Sequence, residues 1–120
     1  MATFSKTILS GSTNGRPVLV NTTSSNTLVV HTASTNTSVQ HEIWIYAMNT
    51  DTTDRKLTLE FGGVTSPDDL IEQTITAEGG LLLVIPGLIL SGNASTAPTI
   101  TAFANTANVV SVLGFVNVIA

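Results

Sequence analysis

The chain reads as a single all-β domain, an antiparallel β-sandwich of jelly-roll-like type with one short helical turn near residues 67–72. Three observations predict it. Val, Ile and Leu arrive in bursts of strand length, clusters of Gly, Ser, Thr, Asn and Asp separate the bursts, and no sustained 3.6-residue amphipathic pattern occurs. An immunoglobulin-like sandwich leaves the same pattern, and strand order is not legible at this level.

The elements follow in order. Phe4 to Leu9 is the first strand, and Met1 to Lys6 is a candidate flexible arm. Gly11-Ser-Thr-Asn-Gly15 turns the chain into Val18 to Asn21, and Thr22-Thr-Ser-Ser-Asn26 leads into Thr27 to Ala33. After Ser34-Thr-Asn-Thr-Ser38 comes Glu42-Ile-Trp-Ile-Tyr-Ala-Met48, apolar on both faces: Ile43, Ile45 and Ala47 oppose Trp44, Tyr46 and Met48. That pattern predicts a central strand covered on each side. Asn49-Thr-Asp-Thr-Thr-Asp54 is a loop of residues that bond their own backbone. Lys56-Leu-Thr-Leu-Glu-Phe61 alternates cleanly, predicting a half-buried strand with Leu57, Leu59 and Phe61 inward and Thr58 and Glu60 outward.

Ser66-Pro-Asp-Asp69 has an N-cap serine, proline at the first helical position and an acid three residues past the cap. It predicts a helical turn through Leu70, Ile71 and Glu72. Strands follow at Glu72 to Ala77, Leu81 to Ile85, Thr99 to Ala104 and Val109 to Ile119, punctuated by Gly79-Gly80 and Gly92-Asn-Ala-Ser-Thr-Ala-Pro98. The last strand is again apolar on both sides, with Val110, Val112, Val116 and Val118 on one face and Val109, Leu113, Phe115 and Ile119 on the other. Two accounts are open: a central strand of the sandwich, or a face or edge that joins a neighbouring subunit.

Composition narrows the function classes. Charged residues are 10% of the 120, against about 25% in ordinary soluble domains, while 42% are apolar. So little surface charge predicts that part of the surface is covered by a partner or by further copies. Lys6, Arg16, Arg55 and Lys56 are too few and too scattered to form a footprint on phosphate backbones, so no direct nucleic-acid binding is expected. The absence of cysteine removes disulfides and thiolate chemistry. No export signal follows Met1, and the longest apolar run, Leu81 to Leu90, is about half a membrane span. The expectation is a soluble chain made in a cytoplasm, with no membrane partner.

The search for chemistry yields little. His31, His41 and Glu42 can converge on a metal only if their strands meet, and neighbours His41 and Glu42 point to opposite faces, so the histidines are expected at exposed or strand-end positions. Asp68, Asp69 and Glu72, and separately Asp51 and Asp54, lack the spacing of a calcium loop. Capping and loop solvation account for them. Gly11-Ser-Thr-Asn-Gly15 places serine second, where a nucleophile elbow needs it third. Neither glycine pair, Gly62-Gly63 or Gly79-Gly80, carries the lysine of a phosphate loop. No catalytic, metal-binding or cofactor-binding residue is assigned, and the chain is expected not to be an enzyme. Trp44 and Tyr46 share one strand face and either stack on a sugar or base or belong to the core.

Read in order, Ser10-Gly-Ser-Thr-Asn-Gly-Arg-Pro-Val18, Glu42-Ile-Trp-Ile-Tyr-Ala-Met-Asn49, Leu57-Thr-Leu-Glu-Phe-Gly-Gly63, Pro67-Asp-Asp-Leu-Ile71 and Leu82-Leu-Val-Ile-Pro-Gly87 resemble a group of small β-rich structural proteins of tailed bacteriophages. The resemblance spans nearly the whole chain, but its motifs are structural. It implies a capsid decoration (cement) protein on the outer shell, synthesised in the host bacterial cytoplasm. Its expected partners are the major capsid protein and itself, with a homotrimer favoured. Candidate subunit or coat contacts are Phe4, Arg16, Val109, Leu113, Phe115 and Ile119. Arg16, beside Pro17, either pairs with a coat carboxylate or stays solvated. A receptor- or carbohydrate-binding module of a tail or fibre is the alternative, as is a neck or head-completion component.

Overall fold

A computed structural model of the chain describes residues 3–120. Among these are nine strands and no helix: β1 (Phe4–Ile8), β2 (Val18–Leu19), β3 (Leu28–Thr32), β4 (Gln40–Asn49), β5 (Arg55–Phe61), β6 (Leu70–Ile75), β7 (Leu82–Ser91), β8 (Thr99–Ala104) and β9 (Val110–Ile119). They form two antiparallel sheets packed face to face as a β-sandwich. One sheet runs β1-β9-β4-β7, with β2 beside β1 on the same flank of β9, and the other runs β3-β8-β5-β6.

The core is the shared inner surface. Ile43, Ile45 and Ala47 on β4, Val110, Val112 and Val116 on β9, and Ile85 on β7 meet Val30, Leu57, Leu59, Ile75, Ile100, Ala102 and Ala104 from the second sheet, all 0–1% exposed. Period-two alternation sorts these residues inward because successive side chains on a strand point to opposite faces. The spine is the β4–β9 ladder, which pairs ten residues from Gln40↔Ile119 to Asn49↔Val110. Gly114 permits it: a Cβ there would lie 1.9 Å from the carbonyl oxygen of Trp44.

Four local expectations are corrected. The helical turn near 67–72 does not form. Residues 66–69 make a tight turn in which Asp69 Oδ2 accepts the Thr65 amide at 3.0 Å, and Leu70 enters β6 opposite Glu60. The local capping pattern loses because Leu70 and Ile71 gain a full ladder with β5, a non-local partner that a short N-cap signal cannot weigh. The N-terminal segment is not a free arm over Phe4 to Lys6: these residues pair with Ile119, Val118 and Asn117. Thr3 and Ala120 exchange two backbone hydrogen bonds at 2.6 and 2.9 Å, while Met1 and Ala2 lie outside the described residues.

The strand expected to stop at Ile85 runs on to Ser91, because β7 is an edge strand and tolerates Pro86 and register shifts there. On β5, Thr58 and Glu60 are 1% exposed instead of solvated. The loop between β2 and β3 closes on Glu60: Ser25 Oγ and the Asn26 amide donate to it, the latter at 2.9 Å, and Thr101 Oγ1 on β8 donates at 2.7 Å. Burial raises the Glu60 pKa, but these bonds outweigh it and hold the group below its ordinary value.

Candidate functional site

A two-layer sandwich covers only one face of each sheet, so a strand apolar on both sides must leave one side bare. That is the fate of β4 and β9. Trp44 and Tyr46 are not core residues. They lie on the outer face of the β1-β9-β4-β7 sheet, opposite Phe115 and Leu113 respectively. Ile8 and Phe4 extend this apolar surface along β1, where they pair with Phe115 and Ile119, and Leu83 and Ile89 extend it along β7. Phe4 is 71% exposed, and Ile8, Leu83 and Ile89 are 41–50% exposed.

The aromatic part of this face is ordered as a row across four strands. The Lys6 ammonium lies 4.8 Å from the centroid of Phe115. Phe115 stacks on Trp44 with centroids 5.9 Å apart and planes 11° from parallel. Trp44 in turn lies against Gly87, where φ is +82° and a Cβ would meet the indole at 2.8 Å. Lys6 and Trp44 approach Phe115 from its two neighbouring strands. Phe115 is thus engaged by Lys6 and Trp44, and Trp44 by Phe115 and the Gly87 backbone.

One polar knot sits in the row. Glu42 Oε1 accepts from Trp44 Nε1 at 2.6 Å and from Asn117 Nδ2 at 2.9 Å. The Trp44 and Asn117 bonds hold the Glu42 carboxyl below its ordinary pKa, with partial burial opposing them. Glu42 and Asn117 line one side of a shallow depression of about 300 Å³, with Phe4, Ser5, Lys6 and Ile119 completing it.

Of the expected contact residues, Phe4, Leu113, Phe115 and Ile119 come together on this face. Val109 leaves the group: it precedes β9 and packs against the core. Arg16 is exposed in the β1–β2 loop, where its backbone, not its guanidinium, is engaged by Thr13 and Ser12. Lys6, Ile8, Glu42, Trp44, Tyr46 and Asn117 join the face without having been singled out as contacts. The signal for them was present: two doubly apolar strands in a fold with two layers.

His41, second residue of β4 and half-buried, stands at a strand end as expected, whereas His31 does not stay exposed. His31 is 2% exposed and its Nε2 lies 2.9 Å from His41 Nδ1. They come from strands of opposite sheets and meet across the sandwich. A register shift in β3 between Val29 and His31 turns both Val30 and His31 inward. The Ser10 amide donates to His31 Nδ1 at 2.9 Å, which places the His31 proton on Nε2 and makes His41 Nδ1 the acceptor. Both are neutral. Burial, then the charge of His41 when protonated, lowers the His31 pKa to about 4, and burial lowers that of His41. Glu42 points to the opposite face from His41.

The acids are engaged as braces. Asp51 pairs with Arg55 at 2.6 Å, Lys56 with Glu72 at 3.1 Å, and Asp54 accepts the Ala77 amide at 2.9 Å. No three side chains of His, Cys, Asp or Glu converge among the described residues. A cleft of about 530 Å³ at the loop end near Gly62, Val64, Asn93 and Pro98 is lined by residues with no titratable group. Neither a protein-family model nor a curated protein matches the chain.

Proposed function

We propose that this chain is a non-enzymatic structural protein of a tailed-bacteriophage virion, a decoration protein that binds the outer surface of the coat shell and stabilises it. The observation that carries the proposal is an uncovered apolar face, formed by Phe4, Ile8, Trp44, Tyr46, Leu113 and Phe115 on a domain otherwise low in charge, which marks the chain as a component of a larger assembly whether the face itself meets the coat or a further copy. A bare sheet face of this kind marks an assembly surface. The sequence resemblance supports the same reading. Its segments fall on β4, β5 and β7, on the first residues of β2 and β6, and on the turns beside them.

The strand order supports a jelly-roll assignment as well. From β2 onward, β2-β9-β4-β7 faces β3-β8-β5-β6, the arrangement of two interlocked Greek keys, which recurs in viral capsid domains. Function in this reading is mass action: binding the assembled shell and not its free subunits stabilises the shell by the binding free energy, multiplied over many copies. The test is the copy number of the chain in purified virions, measured by quantitative mass spectrometry. Near-stoichiometric copies per coat subunit are expected. A handful would move the chain to a vertex, neck or fibre, and absence would end the virion reading.

A second reading, a glycan-binding module, is favoured by the depression that brings Lys6, Glu42 and Asn117 beside aromatic side chains. Against it, Phe115 is already engaged by Lys6 and by Trp44, whereas a sugar stacks on a free ring face. Binding of a glycan with a change in Trp44 fluorescence would restore it.

A further inference from the structure

We propose that the outer face of the β1-β9-β4-β7 sheet takes a second copy of this same chain. The inference rests on the reading of the chain as an assembly component and names what this face binds.

Charge is the first argument. The chain carries a formal net charge of -4, so two copies repel unless they meet where acids are absent. Only one of the eight acidic residues, Glu42, lies on this face. Asp51, Asp54, Asp68, Asp69 and Glu78 lie in loops and turns, and Glu60 and Glu72 belong to the other sheet. Lys6 stands on the same face as Glu42, and both line the same depression. The face is thus locally neutral with one charge of each sign, which is the composition a surface needs to oppose itself. Across a two-fold axis, Lys6 of one copy can meet Glu42 of the second, and the reverse. A partner selected by charge would instead be drawn to the acid-bearing loops.

Area is the second argument. Three strands of ten residues, with the five of β1 and two of β2 beside them, at about 4.8 Å spacing and about 3.3 Å rise give a face of roughly 600 Å². Specific interfaces begin at about 1,200 Å² in total, or about 600 Å² for each partner. The face reaches that threshold only if it is used whole, as an isologous contact of like with like does.

Preorganisation is the third. Lys6, Phe115, Trp44 and Gly87 hold the aromatic row in place, and the hydrogen bonds of Glu42 fix the indole and the Asn117 amide. Side chains held in this way lose little conformational entropy on docking, and neighbouring Tyr46 and Leu113 supply apolar contact beside them.

The mass of the purified full chain, by sedimentation and light scattering over a range of concentrations, tests the proposal. The wild type is expected at twice the 12.5 kDa chain mass. Leu113→Glu is expected to return it to a single chain. Because Leu113 is half-buried and its replacement can perturb folding, Phe4→Glu, at a side chain 71% exposed, is the second variant and is expected to weaken association at least tenfold. Val64→Glu, at an apolar residue 42% exposed outside this sheet, is expected to leave the mass unchanged. A wild type that stays at the single-chain mass, face variants that fold and keep the wild-type mass, or loss of association in Val64→Glu would each overturn the proposal. The measurement uses no virion, so it fails or succeeds separately from the copy number that tests the decoration role.

Discussion

His31 Nε2 donates to His41 Nδ1 at 2.9 Å, joining the two sheets of the sandwich through a pair of neutral imidazoles. The Ser10 amide on His31 Nδ1 and the Thr32 amide on Ser10 Oγ, at 2.9 and 2.7 Å, tie the loop after β1 into the same cluster. Neither ring can gain a proton without losing an acceptor that the cluster uses.

Stability is therefore expected to fall on mild acidification. The His31 pKa is about 4 in the folded chain against an ordinary 6.5. Above pH 6.5 neither state binds the proton and the difference contributes nothing. Between pH 6.5 and 4 the unfolded chain takes up a proton that the native chain refuses, and stability declines by about 2–3 kcal/mol in all. Urea unfolding at closely spaced pH values checks this. An NMR titration showing His31 ionising at its ordinary value in the native protein would remove the basis for it.

Glu60 adds a separate limb at lower pH. Its folded pKa lies below its ordinary 4.5, so its contribution is present above that value and is lost as pH falls through the folded pKa. Glu60→Gln is expected to cost about 2 kcal/mol at neutral pH, because an amide nitrogen then faces the donors of Ser25, Asn26 or Thr101. Hydrogen exchange at the Asn26 amide should quicken with it. Unchanged exchange there would mean that the loop is held by other contacts.

Two glycines separate steric from conformational cost. Gly114→Ala forces a Cβ to within 1.9 Å of the Trp44 carbonyl and parts the central ladder, with an expected loss of about 3 kcal/mol or failure to fold. At Gly80, φ is +75° and nothing lies within 4 Å of an added Cβ, so Gly80→Ala is expected to cost only about 1 kcal/mol. Equal midpoints in denaturant for the two variants would contradict the close approach of β4 and β9.

Trp44 is the single tryptophan and reports directly on Glu42. Protonating Glu42 changes the group that accepts the indole N–H, so native Trp44 emission should respond to pH with a midpoint below the ordinary 4.5. Asn117→Ala removes the second donor to that oxygen and should move the midpoint upward. A midpoint unaffected by Asn117→Ala would show that the Asn117 bond does not hold the carboxylate down.

The β-sandwich was legible from local pattern because its causes are local. Alternation at Leu57, Leu59 and Phe61 depends only on neighbours two residues apart, and turn-forming runs such as Gly11 to Gly15 and Asn49 to Asp54 act within a few residues. The sequence by itself therefore determined where most of the strands lie, which runs of residues separate them, and that Leu57 and Leu59 belong inside.

Tertiary structure decided the rest, because each remaining outcome depends on a partner distant in the chain or in the opposite layer. The doubly apolar β4 could not reveal which of its faces would be bare, since that depends on the sheet packed against Ile43 and Ile45. Glu42 meets Asn117 across 75 residues and Glu60 meets Ser25 across 35. His31 faces His41 only because a register shift in β3 turns it inward. The capping pattern at Ser66 to Asp69 yielded to a ladder with β5, because pairing with a neighbouring strand supplies more hydrogen bonds and burial than one isolated helical turn.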